Sequence, residues 1–128
     1  MIISKSTATP FLTPFSNSKH VSVSDAPPEK GGASAGFRPH ELLEAALACC
    51  MNVWLRMYAD EHKIELPSFE IHVSVNREKP HETIFGYSIV WLNAIEPETR
   101  ALMAKVAETC SVRQTLSCNI SFQEEQRD

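Results

Sequence analysis

The chain has 128 residues, of which 43% are hydrophobic and 22% charged, with a formal net charge of −4 and a pI near 5.7. That length suits a single domain with one core. The acidic balance and the scattering of the twelve Lys and Arg residues leave no basic face of the kind a nucleic acid requires.

The first residues, MIISKSTATPFLTPF, lack a basic segment followed by an apolar one. No apolar stretch approaches the ~18 positions of a membrane span. The expectation is a soluble, cytoplasmic protein with no membrane partner. Cys49, Cys50, Cys110 and Cys118 show neither C-x-x-C nor H-x-x-x-H spacing, so no zinc site and no cofactor is expected. Without a secretory leader a disulfide framework has little support, which leaves core packing or thiol chemistry.

Residues 1–38 are broken by Pro10, Pro14, Pro27 and Pro28 and by Gly31, Gly32 and Gly36. HVSVSD (20–25) alternates like a short strand, and TPFLTPF supplies another extended piece. This segment can bury little of itself and is expected to pack on its own domain or on a partner chain. From Pro39 the texture changes. PHELLEAALACCMNVWLRMYADEHK predicts a helix over about 39–62, with Pro39 at the first helical position, where its missing N–H costs nothing. No polar residue interrupts 45–51, so this helix is expected to be central and buried on all sides.

SFEIHVSVNRE (68–78) alternates cleanly, with Phe69, Ile71, Val73 and Val75 on one face. With TIFGYSIVWLNAI (83–95) it predicts an antiparallel hairpin. EPETRALMAKVAETC (96–110) predicts a second helix, with Leu102, Val106 and Cys110 on one stripe. SVRQT reads as a connector, and LSCNISFQEE (116–125) as a last strand with Leu116, Cys118, Ile120 and Phe122 on one face. The order defines an α+β domain over 1–128.

Adjacent helical positions point about 100° apart, so Cys49 and Cys50 face different surroundings. Cys50 shares a stripe with Leu43, Ala46, Leu47 and Trp54. Cys49 and Cys118 read as packing residues. The spacing alone does not say whether Cys50 and Cys110 meet.

The stretch GGASAGFRPHELLEAALACCMNV resembles the hallmark segment of the OsmC/Ohr family, the osmotically induced and organic hydroperoxide resistance proteins. Pro39, Glu41, Leu42, Leu43, Ala45 and Ala46 match a helix start of that family, and Cys50 falls in register with its catalytic cysteine. AETCSVRQTLSCNISF resembles the segment around the partner cysteine, with Cys110, Val112, Thr115 and Leu116 in matching positions. The resemblance implies an OsmC-like fold: an antiparallel sheet, two main helices and an intertwined homodimer, with residues 1–38 crossing to the partner. It implies a two-cysteine thiol peroxidase without a cofactor. In that chemistry Cys50 becomes a sulfenic acid, Cys110 condenses with it to a disulfide, and a dithiol, of lipoyl type by family precedent, reduces the bond. The substrate implied is a small organic hydroperoxide.

The sequence departs from the family in three places. His40 stands where a glutamate follows the proline, residues 1–37 contain no arginine, and Ser111 replaces a proline. Arg38, His40, Glu41 and Arg113 are therefore the candidates for the charge that activates Cys50. Two other readings share the same residues. One is a binding protein holding a small apolar ligand; the other is a thiol sensor without turnover.

Overall fold

The computed structural model describes residues 1–127. Two compact units divide the chain, residues 1–45 and residues from Ala46 onward.

The first unit contains a three-stranded antiparallel sheet in the order β1–β2–β3: β1 (Ile3–Ser4), β2 (Thr13–Ser16) and β3 (Val21–Ser24). The β2–β3 turn is fastened by the Asn17 side chain, which accepts the N–H groups of Lys19 and His20 at 3.0 and 2.8 Å. After β3 a loop passes through a short 3-10 turn (Pro28–Lys30) and returns to β3. The carboxylate of Asp25, only 4% exposed, holds this loop by accepting the N–H groups of Ala26, Ala33 and Ala35. Those backbone bonds, that of Ala35 foremost, keep its carboxyl below the ordinary range despite burial. Gly36 is needed where the loop closes, because a Cβ there would stand 2.1 Å from the Val23 carbonyl oxygen. Ser24 and Asp25 are the only buried residues among those described in this unit, so its sheet has no apolar core.

Helix α1 (Pro39–Glu61) begins at the proline the sequence marks. Glu41, three positions after Arg38, accepts the Arg38 backbone N–H at 2.8 Å, half of a capping box. The helix ends in a Schellman motif. Lys63 turns left-handed (φ 55°), its N–H bonds Asp60 O, and the N–H of Ile64 bonds Ala59 O at 2.8 Å.

The second unit packs α1 from Ala46 onward against a hairpin and two further helices. β4 (Phe69–Asn76) and β5 (Ile84–Trp91) pair antiparallel from Phe69↔Trp91 to Asn76↔Ile84 without a bulge. The alternation puts Phe69, Ile71 and Val73 of β4 on the same face as Phe85, Tyr87, Ile89 and Trp91 of β5, and these residues pack on the core. Helix α2 (Pro97–Ala107) adds Met103, Val106 and Ala107, which with Leu55 and Phe69 form one buried cluster. Leu47, Met51 and Cys110 form a second.

Several expectations need correction. Ser111–Ser117 is not a connector but a third helix, α3, with Cys110 as its N-cap. The strand expected over 116–125 does not form: Leu116 lies in α3, while Ile120 is 57% and Phe122 97% exposed. A strand needs a partner edge, and 116–125 pairs with none among the described residues. Within the second unit, α1 buries the stripe Leu47, Met51, Leu55 and Ala59, one side only. Val53 and Met57 remain 57% exposed, because the hairpin and α2 cover only one face. Cys49 and Cys118 are exposed rather than packed. On α2 the buried stripe runs through Met103, Val106 and Ala107 to Cys110, leaving Leu102 at the surface. Finally, α1 is long and apolar enough to cross a membrane by length and composition, contrary to the first reading. Its buried stripe instead belongs to the core of the second unit.

Candidate active site

Cys50 and Cys110 lie in the second unit, and the fold brings them together across 60 residues of sequence. Cys110 is fully buried in the cluster with Leu47 and Met51, and Cys50 packs against that cluster half-buried. Both thiols are free.

The turn between α2 and α3 shapes the site. Thr109 and Cys110 close the end of α2, and the N-cap geometry of Cys110 starts α3. The Cys110 sulfur accepts the Arg113 N–H at 3.4 Å, the role a Ser or Asp oxygen plays in most caps. The first residues of α3 meet Cys50. The Ser111 Oγ lies 3.4 Å from the Cys50 Sγ, and the Val112 N–H donates to the same sulfur at 3.4 Å.

These contacts separate the two thiols. Burial opposes ionisation of Cys50, but donors from the Ser111 side chain, the Val112 N–H, the Cys110 thiol and the Ser111 N–H outweigh it and hold its pKa below that of an ordinary thiol. Burial pushes the Cys110 thiol up, as does its place beside the Cys50 sulfur, and the Arg113 N–H and the Arg113 charge offset this only in part. The two shifts run in opposite directions, so Cys50 is the thiol that ionises more readily. Such a pair suits attack by one sulfur followed by condensation with the other.

Trp54, one helical turn after Cys50, fixes the turn that carries Cys110. Its indole N–H reaches both Thr109 Oγ1 at 2.9 Å and the Val106 carbonyl at 3.1 Å. Arg113 donates to the Glu108 carbonyl at 2.7 Å, and its guanidinium lies 5.9 Å from the Tyr87 ring centroid.

The other candidates lie in the first unit. Arg38 is paired with Glu41, its Nη2 and Nε donating to Glu41 Oε1 at 3.0 and 3.2 Å. The Arg38 backbone N–H first, then its guanidinium, holds the Glu41 carboxyl below its ordinary value. His40 is exposed beside them. The structure brings Cys50 and Cys110 together, and beside them stand Ser111, Val112, Trp54 and Thr109, to which the sequence analysis gives no role at the site. Two signals pointed to them: a hydroxyl residue directly after Cys110, and an indole at the i+4 position from Cys50.

No group of three or more His, Cys, Asp or Glu residues that could hold a metal ion occurs among the described residues.

The architecture defines an α+β protein with a paired-thiol site. A family model described as OsmC-like protein matches residues 31–125, and the chain belongs to that family. No curated protein matches. Among solved structures, a Psychrobacter arcticus protein named for osmotic stress induction and detoxification response is 20% identical, with a TM-score of 0.74 over 89% of this chain and 85% of that one. The organic hydroperoxide resistance protein OsmC of Legionella pneumophila is also 20% identical, with a TM-score of 0.64 over 91% and 88%. The organic hydroperoxide resistance protein OhrB of Bacillus subtilis is 18% identical, with a TM-score of 0.61 over 93% and 90%. At these identities the likeness is one of fold.

Proposed function

We propose that this protein is a thiol peroxidase that reduces small organic hydroperoxides. The observation that carries the reading is the asymmetric pair: a half-buried Cys50 that meets donors from Ser111 and Val112, and a buried Cys110 in the same cluster. The names of the Legionella and Bacillus structures agree with it.

The Cys50 thiolate attacks the terminal oxygen of the hydroperoxide. The O–O bond breaks, the alkoxide leaves and is protonated to the alcohol, and Cys50 becomes a sulfenic acid. The Cys110 sulfur then attacks the Cys50 sulfur. The hydroxyl of the sulfenic acid leaves with the Cys110 proton as water, and a Cys50–Cys110 disulfide remains. A dithiol of lipoyl type reduces the disulfide and is itself oxidised to a cyclic disulfide. The apolar residues around the pair, among them Leu47, Met51 and Val73, favour an organic hydroperoxide over hydrogen peroxide.

The two units work as one domain in a cytoplasmic homodimer. Residues 1–38 pack on the partner, and the exposed Leu43, Val53 and Met57 of α1 lie in the interface. Sedimentation of the reduced protein at micromolar concentration should give the dimer mass.

Treatment with one equivalent of tert-butyl hydroperoxide, followed by mass-spectrometric mapping, should yield the Cys50–Cys110 disulfide. Cys50→Ser should abolish hydroperoxide consumption, and Cys110→Ser should stop at the sulfenic acid. Unmodified thiols after excess hydroperoxide would sink the proposal.

A further inference from the structure

We propose that Ser111 is a third catalytic group, whose hydroxyl donates directly to the reacting sulfur of Cys50. The inference rests on the peroxidase reading above and deepens it. Its basis is position: the Ser111 Oγ stands 3.4 Å from the Cys50 Sγ, within the reach of a hydrogen bond to sulfur. The cap at Cys110 sets that position, because the Arg113 N–H held by the Cys110 sulfur starts the helix of which Ser111 is the first residue.

A hydroxyl can donate one proton and accept two. The other donors around the Cys50 sulfur are the Val112 N–H, the Ser111 N–H and the Cys110 thiol. With those in place, the productive orientation for the Ser111 O–H is toward the sulfur. In the thiolate this is a charge-assisted bond, stronger than the bond between two neutral groups. The titratable or charged groups that reach this cluster in the second unit are Cys110, Tyr87 from β5 and Arg113. Arg113 spends one guanidinium nitrogen on the Glu108 carbonyl and acts on Cys110. The neutral hydroxyl is thus the side-chain donor on the Cys50 sulfur besides Cys110 itself.

The bond serves both steps. As thiolate, Cys50 is favoured over thiol by the donor. Ser111 transfers no proton in either step, so the balance of the reaction is unchanged. In the condensation, Ser111 keeps the Cys50 sulfur aligned toward Cys110, the residue immediately before it in the chain.

The test compares Ser111→Ala, which deletes the hydroxyl, with Ser111→Thr, which keeps it. The rate of Cys50 alkylation by iodoacetamide is measured against pH in a Cys49→Ser, Cys118→Ser background, alongside tert-butyl hydroperoxide consumption. Ser111→Ala should lower the alkylation rate at pH 7 about tenfold, the scale of one lost bond to a charged sulfur, and move its half-maximal point to higher pH. Ser111→Thr should restore both. Hydroperoxide consumption should fall in step with the alkylation rate. An unchanged pH profile in Ser111→Ala, with the parent still consuming hydroperoxide, would overturn the role of Ser111 alone. A parent protein that consumes no hydroperoxide would overturn the peroxidase reading and this inference with it. Circular dichroism separates a misfolded Ser111→Ala from a folded one, and should the alanine variant misfold, Ser111→Gly supplies the same loss of the hydroxyl.

Discussion

Trp54→Phe isolates the tie between α1 and the turn that carries Cys110. The substitution keeps an aromatic ring and removes the N–H that serves Thr109 Oγ1 and the Val106 carbonyl. Neither acceptor is orphaned: the Val106 carbonyl keeps the Thr109 N–H at 3.0 Å and the Thr109 hydroxyl at 2.7 Å. The lost bond therefore costs only its net worth, about 1 kcal/mol, rather than the larger penalty of a buried unpaired group. Exchanging a half-buried indole for a phenyl ring forfeits about 1 kcal/mol more in packing. Together these give about 2 kcal/mol, and at roughly 4 °C per kcal/mol for a chain of this size the melting temperature should fall by about 8 °C. Because the turn positions Cys110, the disulfide step should slow more than the first attack. Dimedone trapping after a hydroperoxide pulse should then recover more Cys50 sulfenic acid than in the parent. Thr109→Val removes the other end of the same bond. In a double-mutant cycle the two changes should therefore couple by about 0.5 kcal/mol or more. A melting temperature within about 2 °C of the parent, or strict additivity of the two variants, would refute the tie.

Gly36→Ala should disrupt the first unit, because the new Cβ would meet the Val23 carbonyl oxygen at 2.1 Å and its carbon at 2.6 Å, both backbone atoms. Hydrogen–deuterium exchange over residues 21–37 should speed up. Gly86→Ala is the matched control: its nearest neighbour is the Ser74 Oγ at 3.3 Å, a side-chain atom able to turn away, so exchange there should hardly change. Asp25 should give the loop after β3 a one-sided acid sensitivity. Its folded carboxyl lies below the ordinary value of 3.8, so its stabilising effect is complete above that value and is lost as pH falls below it through the folded pKa. The Ala33 and Ala35 amide signals should shift cooperatively only in that acid range, and Asp25→Asn should abolish the transition. Identical acid titrations of the two proteins would contradict this.

Proline placement and periodicity made much of the second unit legible in advance. Pro39 and Pro97 mark the helix starts, and the alternation from Phe69 to Val75 sets the inward face of the hairpin. The third helix was not legible, because Ser111, Val112 and Thr115 are weak helix formers, and what starts the helix is a sulfur cap that few sequence patterns advertise. The false strand arose from real alternation at Leu116, Cys118, Ile120 and Phe122. Alternation describes two faces but says nothing of a partner edge. At the site, register against Pro39 separates Cys50 from Cys49, but Cys49 is exposed and not the packing residue that the sequence suggests. In the sequence Ser111 stands out only as a departure from an expected proline. Its hydroxyl became meaningful once the fold placed it beside a residue 61 positions away in sequence.

The cap at Cys110 also decides how that residue can be replaced. Serine is among the preferred residues at a helix start and alanine among the poorest, a difference of about 1 kcal/mol in typical helices. Cys110→Ser removes a nucleophile while keeping an atom for the Arg113 N–H, whereas Cys110→Ala removes both and loosens the segment bearing Ser111 and Val112. The two substitutions are therefore separate experiments. The serine variant reads out redox chemistry alone, and the difference between serine and alanine measures how much of the reactivity of Cys50 is lent to it by the architecture of the neighbouring helix.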